Sequence, residues 1–278
     1  SMRRLKCNQF AGVNQHYQNF RFEEYLDNMV RCGIESLEMW CGAPHFILDA
    51  YHISDPSSLR RMASERGLKF VSLTTPSMQW QHQFAAPGKE RQKLAVAYYK
   101  NGVRVAAELG CSILSINSGW GYLDESKSEG MKRSMDAVAQ VADFAQSCGV
   151  TLALETLQPL ESNLVLSLED AKAYLEQLRH PAVKVMIDLV AIGVAGETVE
   201  QWFEAFGENL AHCHLADGAP SGHRVFGEGE YPLVQILQTF ERYDYKGTFN
   251  MELGGQYLAD PFSADQRNMA AIRRFLED

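Results

Sequence analysis

Short apolar runs alternate along the chain with longer stretches in which apolar residues recur every three or four positions, and the alternation repeats about eight times. The run at 5–10 (LKCNQF) followed by the periodic stretch 20–33, which stops at Gly33, predicts a first strand and helix. Residues 34–40 alternate as a second strand. Asp55 then offers a capping side chain, Pro56 a first-turn residue and Gly67 a stop for the second helix. Further strands are predicted at 68–76, 111–117, 150–156, 182–189, 209–216 and 247–253. Helices are predicted at 89–110, 127–148, 167–178, 197–207, from Tyr231 and Pro232 to Tyr243, and from Pro261 to Leu276; Ser167 with Asp170 forms a start resembling a capping box.

Strands that are short and apolar throughout suit a sheet covered on both faces. Eight strand-helix units in 278 residues therefore predict an α/β fold, a (β/α)8 TIM barrel with residues 1–278 as a single domain. The rival is an open doubly wound sheet. It usually carries a glycine-rich phosphate loop after an early strand, and neither GxGxxG nor GxxxxGK(S/T) occurs here.

Composition changes the picture only at its edges. The chain is 46% hydrophobic and 22% charged, with no run near the roughly 20 apolar residues that a membrane-spanning helix requires. No apolar run of signal-peptide length follows Arg3 and Arg4, and Ser1 ahead of Met2 reads as a cloning remnant, so a cytoplasmic location is expected. A net charge of −9 argues against a nucleic-acid partner and for a small neutral or cationic one. The cysteines (Cys7, Cys32, Cys41, Cys111, Cys148, Cys213) show no CxxC pair and read as reduced thiols, mostly buried.

The candidate chemistry lies at strand ends. Predicted strands five to eight finish near Glu155, Asp188, His214 and Glu252, and a barrel brings such ends together at one mouth. Acids closing apolar strands are costly to desolvate unless they share a cation. Three carboxylates and one imidazole make a mainly oxygen-donor set suited to one divalent ion, Mn²⁺, Mg²⁺ or Co²⁺, with Zn²⁺ also accommodated. His212 shares a strand face with His214 but sits deeper, as a satisfied core histidine or a group behind a ligand.

LALET, VMIDL, HCHLAD and the GxGxYP segment followed by KGTFNMEL resemble, in order and spacing, the xylose isomerase-like barrels. That family includes sugar isomerases, ketose 3-epimerases and the endonuclease IV branch. EMWCGAPHF at 38–46, QPLESN at 158–163 and GHRVFGEGEYPL at 222–233 are most similar to the fructoselysine 3-epimerase branch, with tagatose and psicose epimerases as cousins. The resemblance implies metal ligation by Glu155, Asp188, His214 and Glu252, with Glu155 and Glu252 as the acid/base pair and Mn²⁺ as the favoured ion. It implies a sugar substrate, no nucleic acid and no membrane, and is compatible with a homo-oligomer.

Glu161 matches a substrate-contacting glutamate of the ketose epimerases and otherwise reads as a solvent-facing loop charge. His223 is the preferred substrate contact in its loop, with Arg224 beside it as the alternative; His45 could close on the sugar or stay on the surface. Trp40, Trp80, Trp120 and Tyr122 are candidates for stacking on sugar C–H faces. The psicose-type pattern has a histidine where this chain has Ala191 and an arginine where it has Pro220, which moves the expected substrate from a free ketohexose toward a ketose conjugate such as a fructosamine. The rival activities are an inosose-type dehydratase, endonuclease IV-like repair and a non-catalytic sugar-binding barrel.

Overall fold

A computed structural model describes residues 4–278; Ser1, Met2 and Arg3, with the reading given to them above, lie outside the described residues. The first strand starts later than the apolar run suggests. Residues Cys7–Gln9 form a 3-10 turn in which the Gln9 side chain accepts the Lys6 N–H at 2.9 Å, and β1 is Phe10–Val13, buried throughout. Next come α1 (Phe22–Arg31), β2 (Ser36–Trp40), α2 (Pro56–Glu65), β3 (Lys69–Thr74), α3 (Lys89–Leu109), β4 (Ile113–Asn117) and α4 (Lys127–Ser147). The second half of the sequence supplies β5 (Thr151–Glu155), α5 (Leu168–Leu178), β6 (Val183–Asp188), α6 (Leu189–Val194), α7 (Val199–Phe206), β7 (Leu210–Leu215), α8 (Leu233–Arg242), β8 (Thr248–Met251) and α9 (Pro261–Glu277).

The predicted caps are in place. Asp55 accepts from Ser57 N at 3.0 Å with Pro56 in the first turn, and Ser167 accepts from Asp170 N at 3.1 Å. Helix α6 departs from the sequence reading, which ran strand six on to 189. Its residues LVAIGV have no polar face to set a helical period, but Asp188 caps the segment and turns it inward.

All eight strands pair in parallel and in order, β8 returning to β1, so the barrel expected from the sequence is the one the chain forms. The closing seam sets Ala11 against Asn250, and beside it the Phe10 and Phe249 rings stack at 4.7 Å with no solvent exposure. Truncating Phe249 to Ala is expected to cost about 3–5 kcal/mol of unfolding free energy, measured by denaturant titration, because it opens a cavity among the buried rings of Phe10, Phe240 and Tyr245. A large connected apolar cluster runs between strands and helices, and Val225, Leu253 and Ala264 form a small second one. All six cysteines are free, four of them buried, and no helix among the described residues is long and apolar enough to cross a membrane.

Candidate active site

Four consecutive strands deliver the cluster. Glu155 is the last residue of β5, Asp188 the last of β6, His214 lies one residue before the end of β7, and Glu252 is the first residue beyond β8. One potential ligand atom from each lies within 4.8 Å of the other three. His214 is the hub: its Nδ1 is 2.5 Å from Oε2 of Glu252 and 3.2 Å from Oε1 of Glu155. Asp188 is oriented by its own helix, because Oδ1 accepts from Val190 N at 2.9 Å and Ala191 N at 3.3 Å. The other oxygen, Oδ2, faces His223 Nε2 at 3.1 Å, and the same imidazole nitrogen is 3.6 Å from Oε1 of Glu252.

Charge is crowded in this mouth. Burial pushes the Glu155 carboxyl well above the usual carboxylate range, with Asp188 and Glu252 adding to the rise against the pull of His214. Burial also works against ionised Asp188, but His223 outweighs it with the help of Glu155 and His214, so this carboxyl is held low. For His223, burial favours the neutral ring, yet Asp188 and Glu252 lift its pKa to about 10. Among the described residues no Lys or Arg side chain is within 4.0 Å of Glu155, Asp188 or Glu252. Three acids with an imidazole among them and no Lys or Arg partner among the described residues fit a divalent ion held by Glu155, Asp188, His214 and Glu252, all hard oxygen donors save one.

Behind His214 stands Glu38, which the sequence reading did not single out. It is fully buried at the centre of β2, and its oxygens take His212 Nε2 at 2.6 Å, Ser72 Oγ at 2.7 Å, His214 Nε2 at 3.1 Å and the Asn250 amide. Burial opposes its ionisation, but the two imidazoles win and keep its carboxyl far below the ordinary range. By holding the Nε2 proton of His214, Glu38 turns Nδ1 toward the cluster. Its signal in the sequence was an acid in mid-strand on the inward face shared with Ser36 and Trp40. His212 completes this inner layer, bonded to Glu38 and, through Nδ1, to Thr248 Oγ1 at 3.0 Å.

The remaining candidates divide. Glu161, half-buried, accepts from Gln158 N at 3.0 Å; burial raises its pKa, and the charges of Asp188, His223 and Glu252 all reach it. His223 is in the cluster. Arg224 turns away, donating from Nη1 to the Glu228 carbonyl at 3.1 Å. His45 is committed to its own loop, with Nε2 2.7 Å from the Phe20 carbonyl and Nδ1 3.0 Å from Asn14 Nδ2, so neither ring nitrogen is left for a ligand in this arrangement. Trp40 is buried, Trp120 half-buried, and Trp80 and Tyr122 stack at 5.2 Å on the loops after β3 and β4.

Residues 26–277 match the family described as Xylose isomerase-like TIM barrel. The chain belongs to that family. Within it, this xylose isomerase-like barrel is 23% identical to fructoselysine 3-epimerase of Shigella flexneri over 94% of its own length and 96% of the relative's. Among solved structures it is similar to D-psicose 3-epimerase with D-tagatose from Clostridium cellulolyticum H10, at TM-score 0.80 and 20% identity, covering 96% of this chain and 99% of that one. The apo 3-keto-D-glucoside 4-epimerase from E. coli has TM-score 0.79 and 17% identity, covering 96% of this chain and 99% of that one. At such identities the structures speak for the shared barrel.

Proposed function

We propose that this xylose isomerase-like barrel is a divalent-metal-dependent ketose 3-epimerase acting on a ketose or a ketose conjugate of the fructoselysine type, with Mn²⁺ as the favoured ion. The observation that carries the reading is that Glu155 and Glu252, from strands on either side of β6 and β7, both approach the single imidazole nitrogen Nδ1 of His214. Inverting a carbon next to a ketone needs a proton removed from one face and another returned to the opposite face. Two carboxylates bracketing one small space supply a base on each side. Glu155 takes the proton from one face of C3 while Glu252 delivers one to the other, and in the reverse direction they exchange roles. Bound by the four side chains, a divalent ion would polarise the ketone and offset the negative charge created by proton removal. Asp188 holds its place from the cap of α6, and His223, in the cluster, and Glu161, within reach of its charges, are assigned to substrate hydroxyls.

The test is turnover of a panel of ketoses and fructosamines with Mn²⁺ in D₂O, followed by NMR. Deuterium at C3 with all hydroxyls retained is the expected product; an unsaturated product indicates dehydration instead, and no exchange with any sugar overturns the reading. Metal linkage supplies an independent check. Mn²⁺ at about 100 times its Kd is expected to stabilise the chelator-treated protein by about 2.7 kcal/mol, read as a rise in Tm, and Mg²⁺, Co²⁺ and Zn²⁺ rank the ions in the same assay.

A further inference from the structure

We infer that Asp217 is the positioning residue that holds His223 in the active site. The inference rests on the proposed reaction only for its kinetic consequence. The loop from β7 to α8 is a long excursion for a connection in this fold, yet its middle returns to the barrel mouth and places His223 against Asp188. Asp217, the buried third residue after His214, organises that return.

Both carboxylate oxygens accept from the loop backbone. Oδ1 takes Gly218 N at 2.8 Å and Tyr231 N at 2.9 Å, while Oδ2 takes Gly227 N at 3.0 Å and Gly229 N at 2.9 Å. Its main chain closes the inner arm, with Asp217 N to the Arg224 carbonyl at 2.9 Å and Arg224 N to the Asp217 carbonyl at 2.7 Å. Among the described residues no charged side chain bonds to it. Four backbone amides thus satisfy both oxygens of a buried side chain, which fixes both ends of the segment that carries His223.

This also explains the GEGEY glycines, which the metal cluster left unused. Gly227 has φ near +101°, a conformation that L side chains rarely adopt, and a Cβ on Gly229 would lie 2.4 Å from Oδ1 of Asp217. Once the ring of amides is closed, His223 is caught from the other side, because its carbonyl accepts from Gly254 N, three residues beyond β8, at 2.9 Å. The imidazole is therefore positioned by a device outside the donor cluster.

The experiment compares the full-length wild type, Asp217→Asn, His223→Ala and the double variant. Hydrogen exchange at Gly218, Gly227, Gly229 and Tyr231 reads the positioning without any turnover, and Asp217→Asn is expected to release these amides and to displace His223 from Asp188 in a crystal structure. With a substrate in hand, Asp217→Asn is expected to lower kcat/KM on the order of 10²-fold, as a 1 Å misplacement can. The double variant is expected to be no slower than His223→Ala alone, since the two residues act through one another. Effects that multiply overturn the inference, and so does an Asp217→Asn protein that keeps its amides protected and His223 in place. Should Asp217→Asn not fold, Gly229→Ala presses on the same carboxylate while keeping its charge, and is held to the same coupling and exchange criteria. A wild type inactive on every sugar counts against the proposed reaction, while the exchange data and the position of His223 still decide the role of Asp217.

Discussion

Replacing Glu252 with Gln is expected to slow epimerisation by about 10²- to 10⁴-fold, the range for losing a positioned acid or base. Its pattern is more diagnostic than its size. With one base disabled, the remaining carboxylate still faces one of the two epimers, so C3–H exchange in D₂O continues from that sugar and stops from the other. Glu155→Gln is expected to reverse the preference. Measuring deuterium uptake separately from each epimer checks this, and two variants that both epimerise at the wild-type rate would remove the two-base reading altogether. The close approach of both carboxylates to His214 Nδ1 is what makes the paired result a firm expectation.

The second large effect is expected at Glu38, which touches none of the proposed substrate atoms. Glu38→Ala leaves the inner nitrogens of His212 and His214, the Ser72 hydroxyl and the Asn250 amide without their shared acceptor. Breaking a buried ionic pair on one side costs about 3–5 kcal/mol of stability. Loss of a carboxylate behind a ligand histidine also lowers metal affinity about 10- to 100-fold. Denaturant titration gives the first quantity and calorimetric titration of Mn²⁺ into chelator-treated protein the second. Unchanged Mn²⁺ affinity in a folded Glu38→Ala protein would show that the His214 ring needs no such support.

Strand-end chemistry was readable because each of Glu155, Asp188 and Glu252 breaks an apolar run where it meets a polar loop, a contrast visible in one dimension. The same contrast gave the eight-unit barrel. Glu38 escaped because a lone acid inside SLEMW looks like an ordinary outward residue until the barrel closes and shows which face of β2 is internal. Helix α6 escaped for the opposite reason, being apolar all round and continuous with strand six. Loop side chains were harder still: His223 and Arg224 are adjacent and chemically comparable, but one turns to Asp188 and the other to the Glu228 carbonyl. Sequence spacing does not encode that direction; the amide ring around Asp217 does.

The proposed chemistry occupies only half of the mouth. The proposed metal donors all come from β5 to β8, whereas β2, β3 and β4 end in Trp40, Thr74 and Asn117, and the partly exposed Trp80 and Tyr122 ride on the loops after β3 and β4. On the proposed reading, reaction and recognition can therefore diverge at different rates: exchanging the early loops among relatives is expected to change which sugar is accepted while the proposed proton-transfer pair stays in place.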